Sequence, residues 1–193
     1  MKKLKGFNFK NFVITIVCGF AACELLGLIF FRASVFVVSS NRFAFTAYGI
    51  TGALVFAAML YRNIKESLLI LVIMLLLNII IADIHIISFI IRDIVVFSCL
   101  WLSLYIYKNF FYNSLEKYKY LRAIGLGITM AILFFVAGIF LLFINVPLER
   151  ISIELIIQVS SLYLQSGMLI GLGLGLGFDI AELLKNKNSV IEF

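Results

Sequence analysis

Arg92 and Asp93 stand side by side inside a run that is otherwise Ile, Val, Phe and Leu, and Glu24, Asn78 and Gln158 are set in similarly apolar surroundings. A charged side chain placed in hydrocarbon costs roughly 2.5–3.5 kcal/mol on insertion scales, so such groups turn toward a partner or a cavity. Together the five residues could wall a polar pocket that opens outward and binds a small polar or anionic molecule. Arg92 would be its anchor, because a guanidinium stays charged and meets a carboxylate or phosphate with a planar fork of donors. The alternative is a structural ion pair between Glu24 and Arg92 that only fixes how two helices pack. A third reading makes Glu24 a proton-coupled carboxylate.

The elements that would hold these groups follow from hydropathy. Of the 193 residues 64% are hydrophobic and 13% charged, with one proline, which is outside the range of an ordinary soluble domain. A hydrocarbon core about 30 Å thick takes about 20 helical residues. Spans are therefore predicted over about 12–31, 43–61, 66–83, 86–107, 121–144 and 151–184. The apolar stretches lack the alternation of a barrel strand, and an open sheet edge in lipid leaves backbone groups unpaired. The expectation is an all-α, polytopic integral membrane protein of six transmembrane helices forming a single domain.

Lys and Arg fall mainly on one side of these spans. Lys2, Lys3, Lys5, Lys10, Arg62, Lys65, Lys108, Lys117, Lys119, Arg122, Lys185 and Lys187 share it, whereas Arg32, Arg42 and Arg150 lie on the other. The positive-inside rule then makes both termini cytoplasmic and accounts for the net charge of +6 without a nucleic-acid partner. Small size and a short basic N-terminus suggest a multi-pass protein of a bacterial inner membrane. Phe20-Ala21-Ala22-Cys23 approximates a lipoprotein cleavage box, but the apolar run continues through Phe31, as an uncleaved span would. The loop 108–120 mixes Phe110, Phe111, Tyr112, Tyr118 and Tyr120 with lysines. It reads as an interfacial aromatic belt on anionic lipid, or else as a docking site for a cytoplasmic partner.

The depths of the polar groups agree. Glu24 and Arg92 both fall about 10 Å below the outer boundary, with Gln158 level and Asn78 slightly shallower. In the fourth span His85, Ser88, Arg92, Cys99 and Ser103 share one face within about 60°, and Trp101 points nearly opposite, toward lipid or another helix. Asp93 lies about 100° from Arg92, which implies that the two address different neighbours. Asp83 and His85 would form the rim.

Small residues mark where helices approach closely. Gly49, Ala53 and Ala57 form one ridge on the second span. On the sixth, Gly167, Gly171 and Gly175 form a ridge, with Gly173 and Gly177 about 200° away. That helix should pack closely on two sides. Its glycine run also suits a hinge or a broken helix of the kind transporters use.

Several chemistries are excluded by composition. A single histidine rules out bis-histidine haem ligation and the two-histidine zinc helix, and no nucleophile-elbow pattern occurs. Cys18, Cys23 and Cys99 all lie within spans, giving no disulfide framework or metal site. The expectation is a noncatalytic protein without cofactor or metal. Its partners would be the lipid bilayer, a small polar or anionic solute, and other membrane subunits.

In length, helix number and termini the chain resembles the plan of the substrate-binding S components of energy-coupling factor vitamin transporters. The resemblance implies that small residues of the first helix, here Gly19 with Ala22 or Cys23, meet a transmembrane coupling partner. It also implies that residues 32–42, including Arg32-Ala33-Ser34-Val35-Phe36, fold over the ligand as an external loop. Two functions remain open on these residues. One is a membrane-embedded binding or transport component for a small solute. The other is a noncatalytic scaffold or assembly subunit whose glycine ridges and basic loops are partner surfaces.

Overall fold

Capping and punctuation residues set the helix limits in the computed structural model, which describes residues 8–33, 39–81, 87–112 and 119–189. Asn8 accepts the Asn11 N–H at 3.1 Å and starts α1, Phe9–Ala33. Helix α2 runs Ser39–Tyr61. Only Arg62 and Asn63 separate it from α3, Ile64–Ile81, because Asn63 caps the Glu66 N–H at 2.8 Å while its amide donates to the Glu66 carboxylate. Helix α4 is Ile87–Ile106, followed without a break by a π-helical turn, Tyr107–Tyr112. Helix α5, Lys119–Asn145, stops just before Pro147, the lone proline. A short 3-10 turn at Leu148–Arg150 follows, and Ser152 then accepts the Leu155 N–H at 3.2 Å at the start of α6, Ile153–Ser189.

The chain is an all-α polytopic membrane protein. Among the described residues five helices are long and apolar enough to cross a bilayer, and the apolar part of α2, Phe45–Tyr61, is shorter. The predicted spans agree with α1 to α6 to within a few residues at most ends, and no strand occurs among the described residues. The helices run alternately up and down, so the start of α1, the start of α5 and the end of α6 meet at one end of the bundle, the terminal end. At the opposite end α3 meets α4 and α5 meets α6.

Glycine decides the packing of α6. A Cβ on Gly167 would lie 2.6 Å from the Met130 carbonyl oxygen, on Gly171 2.7 Å from the Gly127 Cα, and on Gly175 2.6 Å from the Ala123 Cα, so that ridge seats on α5. A Cβ on Gly173 would lie 2.6 Å from the Cys23 Cα, and Gly177 abuts Cys18 and Gly19, so the second ridge seats on α1. The two-sided packing expected from the sequence is present. The expected alternative of a hinge is not: α6 is one continuous helix of 37 residues, about 55 Å long. Close backbone approach on both sides holds the glycines helical despite their low propensity. The α2 ridge also faces inward. Gly49 lies against Cys23, Ala53 against Gly19, and both Ala53 and Ala57 are fully buried.

These contacts correct two expectations. Gly19 and Cys23, assigned by resemblance to an external coupling partner, are enclosed by α2 and α6. The glycine ridges, candidate partner surfaces in the scaffold reading, are used within the chain. The aromatic belt is partly redirected too. Phe110 is exposed, but Phe111 covers Gly125 and Tyr112 packs edge-on to Phe56 with ring centroids 5.5 Å apart. The three cysteines are free thiols. Asp83, His85, Lys2, Lys3, Lys5, Lys117, Tyr118 and residues 34–38 of the external loop lie outside the described residues.

Candidate functional site

The polar cluster away from the terminal end is built on Asp93, whose side chain is fully buried. The end of α3 and the start of α4 lie side by side here. The Asn78 amide donates to Asp93 Oδ2 at 2.8 Å. The Arg92 side chain folds back along its own helix, with Nε 2.9 Å and Nη2 2.8 Å from Asp93 Oδ1. Both carboxylate oxygens are therefore engaged, as a buried charge requires.

This geometry corrects the expectation that Arg92 and Asp93 address different neighbours. Their Cβ directions do differ by about 100°, but the long Arg92 arm closes the gap. Glu24 and Arg92 do not form an ion pair. Arg92 is held by Asp93, while Glu24 Oε1 is buried with no hydrogen-bond partner.

Two tyrosines flank the pair. Tyr48 of α2 lies in the field of Asp93 and Arg92 and meets Phe97 and Phe134 edge-on, with ring centroids 5.3 and 6.3 Å away. Tyr163 of α6 lies in the field of both Arg92 and Asp93, its ring packed over Gly138 of α5. Side chains from α3 and α4 thus hold the Asp93 carboxylate, with tyrosines of α2 and α6 around it. The Arg92 side chain keeps 32% of its surface exposed over this buried base.

Of the five residues singled out from the sequence, the structure brings together Asn78, Arg92 and Asp93. Gln158 is exposed, about 140° around α6 from Tyr163, and does not converge on them. Glu24 sits on α1 next to Cys23, which faces α2 and α6. On α4, Ser103 donates back to the Cys99 carbonyl at 2.8 Å, and Trp101 points to another helix, its indole N–H donating to Ser67 of α3 at 3.1 Å.

A second polar layer, at the terminal end, was not legible as such. Arg122 of α5 is 1% exposed and lies 2.7 Å from Glu182 and 3.8 Å from Asp179, both on α6, with the Tyr112 ring 4.9 Å from its guanidinium carbon. Lys185 of α6 donates to Thr15 of α1 at 2.7 Å and to the hydroxyl of Tyr61 of α2. Lys108, in the π-helical turn, reaches the Met59 carbonyl of α2. Tyr107 is fully buried, and its hydroxyl has no hydrogen-bond partner. The usable signal was the i, i+3 spacing of Asp179 and Glu182 on the apolar end of α6. In sequence Arg122 and Lys185 are indistinguishable from the other positive charges of the cytoplasmic side.

Chemically, the first layer presents a cation on a buried anionic base, and the second clamps helices together. Among the described residues no group of three or more His, Cys, Asp or Glu side chains could hold a metal. No protein-family model matches the chain, and neither a curated protein nor a solved structure matches it at a significant level.

Proposed function

We propose that the protein is a noncatalytic, membrane-embedded binding or transport component for a small anionic solute, with Arg92 as the anchoring group. One observation carries this reading: an arginine side chain one-third exposed, with its guanidinium held at Nε and Nη2 by a carboxylate that is itself fully buried and held by Asn78. A side chain locked by supporting hydrogen bonds is pre-organised, so ordering it on binding costs little. Asn78, Asp93 and Tyr48 then act behind Arg92, and Tyr163 beside it. The positive-inside pattern turns the Arg92 end outward and both termini to the cytoplasm, in a bacterial inner membrane. Active transport would draw on an ion gradient or a separate ATPase.

The scaffold reading is favoured by the clamps at the terminal end, which are structural ties between helices. It is weakened by the inward seating of the glycine ridges. A thermal-shift screen of the purified protein against small carboxylates and phosphates separates the two. A ligand at 100 times its Kd stabilises the native state by about 2.7 kcal/mol. A shift seen with the wild type and lost in Arg92→Lys, with that variant's own melting preserved, supports solute binding. No shift from any anion, with Arg92→Lys merely less stable, supports the scaffold.

A further inference from the structure

The far half of α6 carries a third face that neither α1 nor α5 covers. Glu154, Gln158, Ser161 and Gln165 are all exposed. Their spacing of four, three and four residues places them on a stripe about 60° wide, the a/d repeat of a left-handed helix pair. Gln165 lies 12 residues into the helix, about 18 Å along its axis, which is deep in the hydrocarbon region. Its amide donates to Ser161 at 3.1 Å, which leaves its carbonyl oxygen without a donor, and Gln158 has no side-chain partner among the described residues.

Amides exposed at this depth are costly against lipid tails, and membrane helices satisfy them across a helix–helix contact. Water is a poor occupant, because Ile157, Leu162 and Leu164 flank the stripe and are 64%, 45% and 40% exposed. The pattern is self-complementary. Each glutamine amide both donates and accepts, so a two-fold axis that sets Gln158 against Gln158 and Gln165 against Gln165 satisfies both copies. Arg150 and Glu154, both exposed and opposite in charge, stand at the rim of the same end. We propose that α6 pairs in parallel with α6 of a second copy of this chain along Glu154, Gln158, Ser161 and Gln165. This contact is independent of the Arg92 cluster and would accompany either function.

Oxidative cross-linking in membranes tests it. Gln158→Cys, Ser161→Cys and Gln165→Cys are compared with Ile157→Cys and Leu164→Cys beside the stripe, with the wild type and its own three cysteines as baseline. All five positions are exposed, so the substitutions disturb no packed contact. Dimer bands several-fold stronger at 158, 161 and 165 than at 157 and 164 are expected, together with a dimeric mass for the wild type in lipid nanodiscs. A monomeric mass, or bands without this periodicity, overturns the pairing. Rapid labelling of Gln165→Cys by a membrane-impermeant maleimide also overturns it, since the stripe would then face water.

Discussion

Arg122 of α5 lies 2.7 Å from the Glu182 carboxylate of α6 while only 1% of its side chain is exposed. The pair closes the terminal end between the two longest helices, whose middles are already joined through Gly167, Gly171 and Gly175. Removing one partner of a buried pair leaves an uncompensated charge and costs roughly 3–5 kcal/mol. Arg122→Ala should therefore lower stability in mixed-micelle denaturation by about that amount. Arg62→Ala should cost less than about 0.5 kcal/mol, because Arg62 and Glu66 are 46% and 40% exposed at 3.4 Å. Equal effects from the two variants would mean that the Arg122 pair is as well solvated as the surface one.

Asn78 and Asp93 form one unit with Arg92, so their substitutions should not be additive. Asp93→Ala strands the Asn78 amide and takes from Arg92 the carboxylate at its Nε and Nη2, whereas Asp93→Asn keeps an acceptor for at least one of them. The expected order of stability is wild type, Asp93→Asn, then Asp93→Ala. A double-mutant cycle between Asn78→Ala and Asp93→Ala should give a coupling of at least about 0.5 kcal/mol. Additivity within error would show that the 2.8 Å hydrogen bond contributes nothing.

Glycine substitutions should rank by what the new methyl group meets. At Gly171 the nearest atoms are backbone, the Gly127 Cα and the Leu126 carbonyl oxygen, both at 2.7 Å. At Gly52 the nearest is the terminal methyl of Leu174 at 2.5 Å, which can rotate away. Gly171→Ala should cost about 1–3 kcal/mol through overpacking, and Gly52→Ala measurably less. Thermal unfolding of the two variants side by side decides this.

Trp101 and Ser67 offer an asymmetric pair. Ser67 also donates to the Ile64 carbonyl at 2.7 Å, so Trp101→Phe leaves it satisfied and should cost about 0.5–1.5 kcal/mol for the lost bond. Ser67→Ala leaves the indole N–H without its acceptor and should cost about 1–3 kcal/mol. The reverse order would indicate that the indole finds another acceptor.

Tyr107→Phe removes a hydroxyl that is buried without a partner while keeping the ring against Phe56 and Phe178. Deleting an unsatisfied buried polar group is neutral or stabilising, here by up to about 1 kcal/mol. A clear loss of stability would show that the hydroxyl is satisfied in the membrane, for instance by a bound water.

The sequence alone determined the six helices, most of their limits and the two faces of α6. These follow from hydropathy, from Asn63, Pro147 and Ser152 at helix ends, and from glycine spacing, all of which act over a few residues. The tertiary structure decided which polar groups meet. Helical rise fixes where Glu24, Asn78, Arg92 and Gln158 stand along their own helices, but that leaves rotation and lateral position open. Those depend on how α1, α4 and α6 are turned by packing, which paired Arg92 with its own neighbour, turned Gln158 outward and left Glu24 unpaired. The Arg122 layer was hidden for the same reason. A charge near a span boundary looks alike in sequence whether it faces headgroups or, as Arg122 does, lies enclosed between Tyr112 and Glu182, the latter 60 residues further along the chain.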